Sequence, residues 1–166
     1  MTEETGKGDG KRLHKISGRY KILSRLYPAN LEPAQGVALF CCDLIFDRAH
    51  RLFLRKNGFE RFVPISIPGG GSFLAQPTSS PEQQTMEEYL QLLVEELGVK
   101  RMVFIGHSGC RWYRYNFPGE TDYEIKITDD LRAIAAHVRK EFPGLTVDGT
   151  FYADRHEHRI RMIEVL

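Results

Sequence analysis

The stretch that most constrains this chain is Val103-Phe104-Ile105-Gly106-His107-Ser108-Gly109-Cys110. An apolar run of β-type residues stops at a glycine, and a histidine and a cysteine follow three positions apart. Unbroken apolar runs of this length suit strands covered on both faces, as in a parallel sheet. A strand ending this way releases both side chains at one sheet edge. Imidazole nitrogen and thiolate sulfur are what a zinc ion takes, and a site needs more ligands than two. One other stretch is comparable: Val37-Ala38-Leu39-Phe40-Cys41-Cys42-Asp43, again a short apolar run ending in thiols and a carboxylate.

Cys41-x-Asp43 and His107-x-x-Cys110 together resemble the zinc-site pattern of the β-class carbonic anhydrases. Phe62-Val63 and Pro68-Gly69-Gly70 resemble the strand and glycine turn that follow the first motif in that family, and the likeness covers roughly residues 37 to 166. It implies an α/β fold, a single domain with a mainly parallel β-sheet flanked by helices. It implies zinc held by Cys41, His107 and Cys110, with water or Asp43 in the fourth position. It also implies reversible hydration of carbon dioxide to bicarbonate, with Asp43 orienting the reactive water, in a homodimer or higher homo-oligomer. The competing reading of Cys41 and Cys110 is that they are buried apolar thiols, as free cysteines often are.

The sequence departs from the family pattern in three places. The arginine usual two residues after the aspartate, which holds the carboxylate off the metal, is Ile45 here. Arg48 and Arg111 are the candidates to replace it. The glycine usual after the last zinc cysteine is replaced by Arg111-Trp112-Tyr113-Arg114, which can narrow the pocket or suit an anionic substrate. Ser66 and Ile67 stand where the family tends to have arginine and asparagine. Two alternatives to carbon dioxide hydration therefore stay open: a catalytically weak or silent zinc protein, and a hydrolase of carbonyl sulfide or carbon disulfide.

Composition narrows the remaining classes. With 166 residues, 42% hydrophobic, the chain has room for one full core. A net charge of +1 gives no overall field for nucleic acid or an anionic membrane. No apolar run approaches a membrane span, and the polar N-terminus has no signal-type apolar segment. The expected location is cytoplasmic. Three cysteines, two of them adjacent, argue against a disulfide framework.

Residues 1 to 16 are expected to form a flexible arm, and residues 17 to 166 one zinc-binding domain. Tyr20 to Tyr27 is a short amphipathic piece that packs on its own domain or on a partner chain. Strands are expected over 37–41, 62–66, 101–106, 145–152 and 159–165. Between the first two lies an irregular helical crossover. Ser80, Pro81 and Gln83 mark a helix start, Met86, Tyr89, Leu90, Leu93 and Leu97 its buried stripe, and Gly98 its stop. Residues 111 to 128 read as an aromatic loop of the composition that interfaces favour. Thr128 then caps a last helix buried through Leu131, Ile134, Ala135, Val138 and Phe142. Cys42 is expected to pack as a small hydrophobe opposite Cys41. His156 and His158 read as exposed turn residues, and His137 has no evident partner. Cys42-x5-Arg48 has the spacing of a cysteine phosphatase loop. Its two carboxylates and lack of glycine exclude a phosphate cradle.

Overall fold

The computed structural model describes residues 33–76 and 80–165. The expected arm over residues 1–16 and the amphipathic piece at Tyr20–Tyr27 lie outside the described residues. Five strands, β1 (Gly36–Cys41), β2 (Phe62–Ile67), β3 (Arg101–His107), β4 (Thr146–His156) and β5 (Arg159–Glu164), form one sheet in the order β2-β1-β3-β4-β5. The first four run parallel, and β5 returns antiparallel along β4. The helices are α1 (Leu44–Lys56), α2 (Pro81–Leu97), α3 (Arg111–Asn116) and α4 (Tyr123–Glu141), with a 3-10 turn at Ser72–Ala75. Among the described residues no helix is long and apolar enough to cross a membrane.

Strand order follows from the two crossovers. The chain leaves β1 through α1 to reach β2 on one side. It then returns past β1 through α2 to reach β3 on the other side. Ligands bind in open α/β sheets at such a reversal, outside the carboxyl ends of the strands.

Strand alternation divides the core. Val37, Leu39 and Cys41 pack with Met102, Phe104 and the apolar residues of α2 and α4. Ala38 and Phe40 pack with Val103, Ile105, Phe46 and Leu54 on the α1 side. Phe40, Leu39 and Phe104 are fully buried, each contributing about 1.5–3 kcal/mol of apolar transfer free energy.

Several local expectations need correction. The segment after Asp43 is a regular helix, not an irregular crossover. Its buried positions are Phe46, His50 and Leu54, four apart, while Leu44 and Ile45 are exposed. Residues 111 to 128 are no loop: α3 starts straight after Cys110, and α4 begins at Tyr123. Asp122 caps α4, accepting from the Glu124 and Ile125 N–H groups. Thr128 instead donates from within that helix to the Glu124 and Ile125 carbonyls. On α2, Ser80 accepts from Gln83 N–H, but the Gln83 amide donates to Glu87, so the reciprocal half of the capping box is not made. Tyr89 and Leu97 of the expected stripe are exposed. Gly98 ends the helix as expected, in the left-handed conformation.

Candidate metal centre

The register that pairs Phe40 with Ile105 brings the ends of β1 and β3 side by side. Cys41 is the last residue of β1, His107 the last of β3, and Cys110 lies in the turn into α3. All three are buried, and their ligand atoms lie within 4.8 Å of one another. The two sulfurs are 3.8 Å apart, and either can be the hydrogen donor.

Each member is held by its own element. Alternation turns Cys41 toward the α2 and α4 side. Gly70, at a φ of +60°, lets the loop after β2 pass close by, and a Cβ there would stand 3.2 Å from the Cys41 nitrogen. Gly106 has a steric reason: its Cβ would meet Ile127 of α4 at 2.6 Å. The absent side chain lets α4 settle on the strand end beside His107.

His107 is 1% exposed. Its Nδ1 lies 2.9 Å from the Ser108 carbonyl oxygen, which fixes the ring when Nδ1 carries the proton. Phe46 covers the ring, with centroids 4.2 Å apart. Its Nε2 is buried and has no hydrogen-bond partner among the described residues. An unpaired polar atom in such a place costs about 1–3 kcal/mol, and a metal ion would satisfy it.

The thiols are electrostatically unlike. Cys110 is pulled down to about 7, first by the hydrogen bond shared with Cys41 and then, against burial, by the backbone N–H groups of Tyr113 and Trp112. The hydrogen bond to Cys110 and burial push Cys41 up to about 12. Cys110 is thus the more acidic partner of the shared hydrogen bond. Two thiols and an imidazole are a donor set that zinc takes, so the residues present fit such an ion.

Asp43 sits next to this cluster as the N-cap of α1, its Oδ1 accepting from the Ile45 N–H at 3.1 Å. It is half-buried and lines an open pocket of about 460 Å³ with Ile45, Phe46, Ser108 and Gly109. Arg111 lines the same pocket, whereas Arg48 lines a separate one. Among the described residues no guanidinium bonds the Asp43 carboxylate; the backbone at Ile45 restrains it instead.

Other expected residues fall elsewhere. Cys42 is exposed rather than packed, because β1 ends one residue earlier. His137 does have a partner, Glu87 at 2.8 Å. His156 and His158 are exposed as expected, in the hairpin between β4 and β5. Phe46 and Arg155 border the site without having been singled out for it. For Phe46 a signal existed, the four-residue spacing with His50 and Leu54. For Arg155 none did, since it arrives on a distant hairpin.

No family model matches the chain. An uncharacterized protein of Rickettsia bellii (strain RML369-C) is 22% identical over 134 residues, covering 75% of this chain and 80% of that protein. Among solved structures, a carbonic anhydrase of Streptococcus mutans superposes with a TM-score of 0.54 at 17% identity, covering 94% of this chain and 96% of that one. A β-carbonic anhydrase of Trichomonas vaginalis gives a TM-score of 0.52 at 14% identity, over 94% of this chain and 95% of that one. A β-carbonic anhydrase of Aspergillus fumigatus gives 0.50 at 14% identity, over 83% and 94%. The chain is similar to the β-carbonic anhydrases in fold, and it brings a possible Cys-His-Cys metal site to the carboxyl edge of that fold's sheet.

Proposed function

We propose that this protein is a zinc-dependent lyase that hydrates carbon dioxide reversibly to bicarbonate. The observation that carries the reading is the buried convergence of Cys41, His107 and Cys110, with His107 Nε2 unpartnered. Zinc, when bound, supplies Lewis acidity that makes a nucleophile of water near neutral pH. The chain's own residues do the rest. Cys110, backed by two backbone N–H groups, offers a thiolate at little cost. The Ser108 carbonyl fixes the His107 tautomer, leaving Nε2 as the donor atom. Phe46 closes one side of the imidazole and keeps that side dry. Asp43, held at Oδ1 by the Ile45 N–H, keeps Oδ2 available to accept a proton from the attacking water or to orient it.

A second reading, a weak or silent zinc protein, is favoured by Ile45, which is half-exposed on the pocket wall and offers Asp43 no guanidinium. We further propose that chains associate as homodimers or larger homo-oligomers, supported by exposed Leu44, Ile45 and Tyr115 around the site. The protein is proposed to work in the cytoplasm.

Elemental analysis and stopped-flow hydration on the full chain test the main reading. About one zinc per chain and measurable hydration are expected, and both should vanish in a Cys110→Ser, His107→Ala double variant. Zinc retained unchanged in that variant would refute the site. Zinc present without hydration would leave the silent reading and hydrolysis of carbonyl sulfide or carbon disulfide.

A further inference from the structure

A triatomic substrate leaves most of the pocket beside the cluster unused. Its 460 Å³ compares with about 30 Å³ for one water. Three arginines, Arg111, Arg114 and Arg155, stand on its walls against two carboxylates, Asp43 and Glu157. Elsewhere, Arg51, Arg101 and Arg132 pair with Asp47, Asp148 and Asp129. Arg111, Arg114 and Arg155 pair with no carboxylate among the described residues.

Their placement is fixed. Arg111 and Arg114 are three apart on α3, so they project from one face. A Cβ built on Gly109 would find Arg114 Nη2 at 3.9 Å as its nearest neighbour, so this guanidinium leans over the backbone between His107 and Cys110. Arg155 reaches the pocket from the other side. Its backbone N–H donates to Ser108 Oγ at 2.9 Å, and its Nε donates to the Glu157 carbonyl at 3.1 Å. Ser108 N–H in turn donates to the Ala153 carbonyl, so the hairpin and the β3 end move as one piece. Of the two carboxylates, Asp43 has one oxygen engaged by the Ile45 N–H.

We propose that this pocket binds an oxyanion-bearing small molecule larger than bicarbonate, a carboxylic acid or a phosphate ester. Its anionic head meets the guanidiniums of Arg111, Arg114 and Arg155, and its organic body fills the remaining volume. Guanidinium forks suit both carboxylate and phosphate oxygens. The inference concerns binding and stands apart from the hydration reading, because none of the three arginines belongs to the Cys-His-Cys cluster.

Calorimetric titration of the zinc-treated full chain tests it, with succinate and glycerol 3-phosphate as probes and bicarbonate and inorganic phosphate as controls lacking an organic body. At least one probe is expected to bind tenfold or more tightly than both controls, and more weakly as salt rises. Whichever probe binds identifies the head group. Arg111→Gln and Arg114→Gln should each weaken it by about tenfold. Both residues are exposed, so folding should survive, and circular dichroism checks this. Arg48→Gln, in a separate pocket, should leave binding unchanged. The proposal is overturned if neither probe exceeds the controls, or if the binding survives in the Arg111→Gln, Arg114→Gln double variant. Hydration activity does not enter the readout, so its absence and the failure of this pocket are separate results.

Discussion

His50 should make the stability of this protein fall in mild acid. It is 0% exposed on α1, packed edge-on to Phe40 and stacked on Phe46, and neither ring nitrogen has a hydrogen-bond partner among the described residues. Burial first, and the neighbouring His107 second, pull its pKa from the ordinary 6.5 down to about 4. The folded pKa is therefore the lower one, and between those values the unfolded chain binds the proton more tightly. The contribution is complete above pH 6.5 and is lost as pH falls toward 4. Linkage over that window puts the loss between pH 7 and pH 4.5 at about 2–3 kcal/mol. His50→Leu removes the titration and both unpaired nitrogens while keeping an apolar side chain of similar size. Urea unfolding of both proteins at pH 7 and pH 4.5 gives four free energies. Their double difference isolates what His50 and its coupling to its neighbours contribute. The leucine variant should lose about 2–3 kcal/mol less than the native protein. Parallel losses in the two proteins would show that His50 is charged, or has a partner, in the folded state.

Ile45→Arg should raise hydration by about tenfold, equivalent to about 1.4 kcal/mol, because a guanidinium at this half-exposed position can hold the free oxygen of Asp43. Stopped-flow assay checks it, and a folded variant no faster than native would show that the Ile45 N–H alone restrains Asp43. Gly106→Ala should destabilise by about 1–3 kcal/mol through overpacking, since its Cβ meets Ile127 at 2.6 Å and Leu131 at 3.3 Å; denaturant unfolding within a few tenths of native would contradict that contact. Light scattering at micromolar concentration should find a dimer or larger species, and a clean monomer would refute association.

What the sequence made legible follows how local each signal is. The metal-ligand candidates were readable because they end two apolar strands, and a strand end needs no tertiary information to place it on a sheet edge. The stop at Gly98 was readable for the same reason. The face of α1 was not, because its buried stripe runs through a histidine, Phe46-His50-Leu54, and the eye goes to Leu44 and Ile45. The start of α4 was hidden because Asp122, its cap, lies inside an aromatic run that reads as loop. Those aromatics turn inward: Trp112, Tyr113 and Phe117 pack on one another, leaving Tyr115 exposed. Alternation was carried one residue too far at Cys42, where the strand has already ended. The arginine pocket was half-legible, since Arg111 and Arg114 follow Cys110 directly while Arg155 depends on how β4 lies along β3.

The chain has a single tryptophan, Trp112. It sits two residues after Cys110, edge-on to Phe73, Tyr113 and Phe117, and over Gly69, where a Cβ would come within 2.6 Å of the indole. Its emission therefore has one source, wedged between the glycine loop after β2 and the helix that begins after Cys110. Any event that shifts α3 against that loop, whether an ion entering below or an anion settling on Arg111 and Arg114, must change the surroundings of that indole. The molecule carries its own optical gauge of the site, readable without a label.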